Sequence, residues 1–105
     1  MKYLYLDDVR NPPIEYQQAY NVEIVRSYEA FVTKIRDTGL PDIISFDHDL
    51  GEEKSGYDCM KWLVEYLMDN DLEMPKVLVH SANPVGADNI RGLYDSYNKH
   101  VREDK

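Results

Sequence analysis

The sequence predicts an α/β fold built on a mainly parallel sheet, and three observations carry that prediction. Four short runs, Lys2 to Asp7, Val22 to Arg26, Asp42 to Phe46 and Lys76 to His80, have the length and near-continuous hydrophobicity of strands covered on both faces. Three stretches between and after them repeat apolar residues at i, i+3, i+4 and i+7, the stripe of an amphipathic helix. Strands alternating with helices imply parallel pairing through right-handed crossovers.

Taken in order, the first strand ends in Asp7-Asp8. Residues 11–20 follow, with two prolines and no clear stripe, which predicts a loop or a very short helix. The second strand leads into a helix striped by Tyr28, Phe31, Val32 and Ile35, with Ser27 as its cap and Gly39 and Pro41 as its stop. The third strand closes in Phe46-Asp47-His48-Asp49. The helix over Gly56 to Asn70 carries Met60, Leu63, Val64 and Leu67. Cys59 lies in that segment without a second cysteine to pair with, so it reads as a small core residue rather than a nucleophile. Pro75 restarts the chain as strand. Asn83-Pro84 then has the form of an N-cap followed by proline at the first helical position, opening a helix striped by Ile90, Leu93, Tyr94 and Tyr97.

The chain has 105 residues and no glycine- or serine-rich linker, the size of a single domain over residues 1–105. Its 12 basic and 20 acidic residues leave a net charge of −8, which argues against an extended nucleic-acid surface, although a short RNA end remains acceptable as substrate. The N-terminus lacks the apolar stretch of a signal peptide, and no run approaches the ~20 residues of a membrane span. A soluble, cytoplasmic protein of the reducing compartment is expected, monomer or homodimer. The nine tyrosines read as amphipathic packing rather than a base-stacking platform. His100, near a polar terminus, reads as solvated.

Chemistry concentrates at three strand ends. Asp7-Asp8-Val9-Arg10 offers two carboxylates and a guanidinium; Asp47-His48-Asp49 places Asp47 and Asp49 on one side and His48 on the other if the strand continues. His80-Ser81-Ala82-Asn83-Pro84-Val85-Gly86 runs from a strand end into a helix start, where free N–H groups favour anions. In a parallel sheet such segments converge outside the carboxyl ends of the strands. Converging carboxylates repel unless a cation joins them, and oxygen ligands favour Mg²⁺ or Mn²⁺, which keep positions open for phosphate. No Walker loop, dinucleotide glycine fingerprint, zinc spacing or Gly-x-Ser-x-Gly turn is present.

These motifs resemble the receiver domains of response regulators, with Asp7-Asp8, Asp47 and Ser81 at the places of the acidic pair, the phosphoacceptor and the Ser/Thr. The family's fifth strand and its lysine have no counterpart, and a regular first helix is hard to find. The chain also resembles, over almost its whole length, the receiver-like group named for cyclic-phosphate processing. The shared words are Leu-Asp-Asp-Val-Arg-Asn-Pro-Pro from Leu6, Ser-Phe-Asp-His-Asp-Leu-Gly from Ser45, Gly-Tyr-Asp from Gly56 and His-Ser-Ala-Asn-Pro-Val-Gly from His80.

The resemblance implies a flavodoxin-like, receiver-like sandwich, three-layered or partly open, with a four-stranded sheet in the order 2-1-3-4. It further implies a metal-assisted phosphoesterase acting on a cyclic phosphate, in a cyclic nucleotide or at an RNA end. Asp7, Asp8 and Asp47 are then expected to hold Mg²⁺ or Mn²⁺, with Asp49 as a supporting or alternative ligand. His48 and His80 are expected to move protons, either one as acid or base, beside Asp47. Arg10, Ser81 and Asn83 are expected to hold phosphate oxygens. The rivals are a protein that sequesters a cyclic nucleotide and a signalling receiver phosphorylated on Asp47.

In the 2-1-3-4 order the helices over 28–38 and 57–70 share one face of the sheet. The terminal helix, with Ile90, Leu93, Tyr94, Tyr97 and Val101, is then expected to cross to the bare face, where Ile14, Tyr16 and Tyr20 fill the rest. If it lies beside the other two instead, a homodimer interface is expected over the open face.

Overall fold

The computed structural model describes the backbone of residues 1–103 and the side chains of residues 1–99. Strands β1 (Lys2–Leu6), β2 (Asn21–Val25), β3 (Ile43–Phe46) and β4 (Lys76–Val79) form one parallel sheet in the order β2-β1-β3-β4. Helices α1 (Ile14–Ala19), α2 (Tyr28–Thr38), α3 (Gly56–Asn70) and α4 (Pro84–Glu103) complete the chain. The prolines of the first connection leave room for the six residues of α1, so of the loop and the very short helix expected there the structure has the helix.

Local chemistry sets the helix ends. Ser27 Oγ accepts the Ala30 N–H at 3.1 Å, and Gly39, at φ 85°, ends α2 in a conformation that a side chain would strain. Ser55 and Asp58 form a reciprocal capping box at the start of α3. Asn83 Oδ1 accepts the Gly86 N–H at 3.0 Å and caps α4.

Alternation along the strands divides the sheet into two faces. Leu4, Leu6, Val25, Ile44 and Phe46 meet Phe31, Ile35, Met60, Leu63 and Leu67 of α2 and α3 in the main core. Cys59 is fully buried in that core, and burial pushes its thiol pKa far up, so it is a packing residue as the sequence suggests. Trp62 packs edge-on against Phe31 at 6.1 Å, stacks on Tyr66 at 4.9 Å and carries the Arg36 guanidinium over its ring.

Helix α4 does not cross the sheet. Ile90 and Tyr97 are buried in the same core, with Leu93 and Tyr94 packed against it, so all three long helices share one face. The link from β4 spans only residues 80–83, and the Tyr97 hydroxyl donates to the Leu72 carbonyl at 2.9 Å, tying α4 to the end of α3. His100 and Val101 lie outside the residues whose side chains are described.

The opposite face carries aromatic rings and only the short helix α1. Tyr3, Tyr5 and Ile43 are buried there, with Tyr20, Val22 and Leu78 packed against them. Tyr16 stacks on Tyr3 at 5.8 Å and Tyr20 lies 5.4 Å from it, while Ile14 remains 60 % exposed and does not fill the face as expected. Among the described residues no helix is long and apolar enough to cross a membrane.

Candidate functional site

Strand register builds the site. Leu6 pairs with Phe46, and Phe46 with Val79, so the next residues, Asp7, Asp47 and His80, stand side by side just past three adjacent strands. Their backbones extend the ladder: Asp47 N–H donates to Leu6 O and His80 N–H to Phe46 O, both at 3.0 Å. One ligand atom from each of the three lies within 4.8 Å of the others.

Asp7 is fully buried and heavily hydrogen-bonded. Its Oδ1 accepts the N–H groups of Val9 at 3.0 Å and Arg10 at 2.8 Å; its Oδ2 faces His80 Nε2 at 3.1 Å and Arg10 Nε at 3.5 Å. Burial alone would raise the pKa of Asp7, but the Arg10 and Val9 N–H groups and His80 outweigh it and hold the carboxyl below its ordinary value. Asp47 goes the other way: burial, then the Asp7 charge, push its pKa up. His80 is held below its ordinary value by burial, against the pull of Asp7. Two buried carboxylates and an imidazole converging in this way fit a divalent cation, which would relieve the repulsion that raises Asp47. The donor set differs from the oxygen-only set expected from sequence, because His80 brings a ring nitrogen.

Asp8 and Asp49 stand outside this group. Asp8 is half-buried, and a Cβ built on Gly51 would lie 3.0 Å from its Oδ2. Strand β3 stops at Phe46, so the alternation that would put Asp49 beside Asp47 does not continue. The Asp49 carboxylate is instead 66 % exposed, 2.9 Å from His48 Nδ1, and this hydrogen bond lowers its pKa.

His48 occupies a second station. Its ring lies so close to α4 that a Cβ on Gly86 would come within 2.2 Å of Cγ, so only glycine fits there. Nδ1–H donates to Asp49, whose carboxylate can only accept, and Nε2 has no hydrogen-bond partner among the described residues. Asn83 Nδ2 approaches the same Nδ1 at 3.5 Å. Ser81 Oγ accepts the Asn83 N–H at 3.1 Å, so Ser81 and Asn83 shape the start of α4 beside His48. Arg10 is about half exposed, its guanidinium held at Asp7 through Nε.

Two residues at the site were missed from the sequence. Ser45 Oγ lies 2.7 Å from His80 Nδ1. Arg26 donates to the carbonyls of Asp7, at 3.2 Å, and Arg10, and to Asn11 Oδ1 at 2.7 Å, fastening the loop after β1. The signals were a polar residue inside the buried run Ile43–Phe46 and a cation directly after β2.

Residues 2–96 match the family described as the cyclic-phosphate processing receiver domain. The chain belongs to that family. Its fold is shared with solved structures. One is the N-terminal domain of a response regulator/sensory box/GGDEF 3-domain protein from Carboxydothermus hydrogenoformans, 25 % identical, with a TM-score of 0.57 and 88 % of this chain and 74 % of that one covered. Another is a fusion carrying the yeast Spc42 trimeric coiled coil, amino acids 181–211, 24 % identical, with a TM-score of 0.61; the chain spans 61 % of it and 88 % of this chain is covered. A comparison with curated proteins finds no match. The family and the register of the three strand ends together place this chain among receiver-like domains associated with cyclic-phosphate processing.

Proposed function

We propose that this chain is a metal-assisted phosphoesterase that opens a cyclic phosphate, in a cyclic nucleotide or at an RNA end. The observation that carries the reading is the convergence of Asp7, Asp47 and His80 within 4.8 Å at the carboxyl ends of three strands. These residues would hold Mn²⁺ or Mg²⁺, and the imidazole nitrogen favours Mn²⁺ of the two. The cation supplies charge neutralisation for the phosphate and acidifies water.

The remaining work falls to side chains. Ring opening adds a water oxygen to phosphorus and breaks one ester P–O bond; one proton leaves the water and one reaches the departing oxygen. His48, with Nδ1–H given to Asp49 and Nε2 free, suits the proton acceptor. Arg10 and Ser81, with the N-terminal N–H groups of α4, suit the phosphate oxygens, and Asn83 caps that helix beside His48. Asp8 and Asp49 support this arrangement from outside the three-residue group.

The test is a screen of cyclic nucleotides and cyclic-phosphate-ended oligonucleotides with Mg²⁺ or Mn²⁺, resolving products by mass. A monoester product is expected. Binding without turnover, unaffected by joint replacement of His48 and His80, would support sequestration instead. The phosphoacceptor reading is favoured by one observation, the position of Asp47 at the end of β3 in a chain similar to part of a response regulator. Intact-mass measurement with a small phosphodonor decides it, because an adduct lost in Asp47→Asn would sink the hydrolase reading.

A further inference from the structure

Ser45 sits where nothing on the surface reaches it. It is 3 % exposed, lies in β3 opposite Tyr5 of β1 and Leu78 of β4, and is the one polar side chain of that strand. A hydroxyl in such a run costs free energy unless it is hydrogen-bonded. Its partner is His80, the histidine of the candidate cation group, at 2.7 Å from Nδ1.

The hydrogen-bond roles follow from the far side of the ring. Asp7 Oδ1 accepts two backbone N–H groups and its Oδ2 faces the Arg10 guanidinium, the surroundings of a carboxylate, so Oδ2 only accepts and His80 Nε2 must carry the proton it shares across 3.1 Å. In the neutral imidazole Nδ1 then has a lone pair, and the Ser45 O–H donates to it. The Tyr5 ring lies 4.4 Å from the imidazole and within 7° of parallel, which blocks the ring flip that would exchange the two nitrogens.

We infer that Ser45 is a positioning residue that satisfies Nδ1 of His80 in both tautomers, so that the Nε2–H form set by Asp7 can reverse when Nε2 is given to a cation. Without a cation Ser45 donates to Nδ1, with Nε2–H given to Asp7. Were Nε2 given to a cation, the proton would stand on Nδ1 and Ser45 would accept it. A hydroxyl can play both parts because it donates and accepts; no apolar side chain can. Histidine ligands usually need such a partner on the other nitrogen to fix tautomer and orientation. The reversal rests on the cation reading of the site, whereas the Nε2–H tautomer of the cation-free protein does not.

The experiment compares Ser45→Thr with Ser45→Val, two variants of nearly equal shape that differ by the hydroxyl, in protein carrying ¹⁵N-labelled histidine. Long-range ¹H–¹⁵N spectra report the tautomer of His80, and calorimetric titration with Zn²⁺, a diamagnetic probe, reports affinity. Wild type and Ser45→Thr are expected to show Nε2–H without Zn²⁺ and Nδ1–H with it. Ser45→Val is expected to keep Nε2–H, through Asp7, without Zn²⁺ and to bind Zn²⁺ about 10–100-fold more weakly than Ser45→Thr, because Nδ1–H then has no acceptor. Equal affinities in the two variants overturn the role of Ser45 while leaving the cation reading intact. A wild type that keeps Nε2–H in saturating Zn²⁺ overturns the cation reading at His80, and the reversal with it.

Discussion

Replacing Gly56 with alanine should damage the protein, while the same replacement at Gly92 should strengthen it. Both glycines are helical, so propensity alone predicts a gain at each. Their surroundings differ. A Cβ on Gly56 would lie 1.9 Å from the Asp47 carbonyl oxygen, 2.8 Å from its carbon and 3.0 Å from His48 Cα, all rigid backbone. Relief requires the β3–α3 loop to retreat by about 1 Å, which also strains the 2.8 Å hydrogen bond from Gly56 N–H to His48 O. Overpacking of this kind costs about 1–3 kcal/mol, and a weakened hydrogen bond adds roughly 1 kcal/mol. For a domain of this size 1 kcal/mol corresponds to ~4–8 °C, so Gly56→Ala should lower Tm by on the order of 10–20 °C. A Cβ on Gly92 meets nothing within 4 Å, and Gly92→Ala should stabilise by about 0.5–1 kcal/mol. Circular-dichroism melts and urea unfolding of both variants decide the matter. A Gly56→Ala protein that melts with wild type or above it would refute the close approach of α3 to the site loop.

Asp47→Asn should stabilise the cation-free protein, increasingly so as pH rises through the folded pKa of Asp47, because the wild-type carboxyl is raised by burial and by Asp7 and must ionise there. The same variant should lose the cation-induced gain, about 2.7 kcal/mol at a hundredfold excess over Kd, measured by melting with and without Mn²⁺. Asp58 is depressed by its hydrogen bond from the Ser55 backbone, so its contribution is present above 3.8 and lost as pH falls through its lower folded pKa. Asp58→Asn should therefore flatten the acid limb of a stability-versus-pH curve, and an unchanged slope would contradict the capping box. Ile90→Ala, at a fully buried position, should cost about 2–5 kcal/mol in urea unfolding and more than Leu93→Ala, which is half-buried.

The sheet was legible because its strands are nearly unbroken apolar runs, and the observed strands differ from the expected ones by a residue or so at their ends. Ser27, Gly39, Ser55 and Asn83 act locally, so the helix boundaries they set can be read from neighbours a few residues away. The side taken by α4 was not legible, since its stripe fits either face equally well. What decides it is the short link after β4 and the hydrogen bond from Tyr97 to Leu72. Asp7 and Asp47 were found as carboxylates at strand ends, but their convergence with His80 depends on register across three strands. Asp8 and Asp49 look equivalent to them in one dimension; Asp8 is adjacent to Asp7 and would alternate to the other face of a strand, and Asp49 separates from Asp47 because β3 stops at Phe46. Ser45 and Arg26 act on residues 35 and 16–19 positions away, beyond the reach of local pattern.

Trp62 is the only tryptophan in the chain. It is held between α2 and α3 by Phe31, Tyr66 and Arg36, on the face of the sheet opposite the Tyr5–His80 stack. The protein thus carries an intrinsic fluorophore that senses the packing of its main core and is insulated from the chemistry at the strand ends. Emission from Trp62 can follow unfolding while a cation or a nucleotide is titrated in the same cuvette, and the two signals stay separable without any added label.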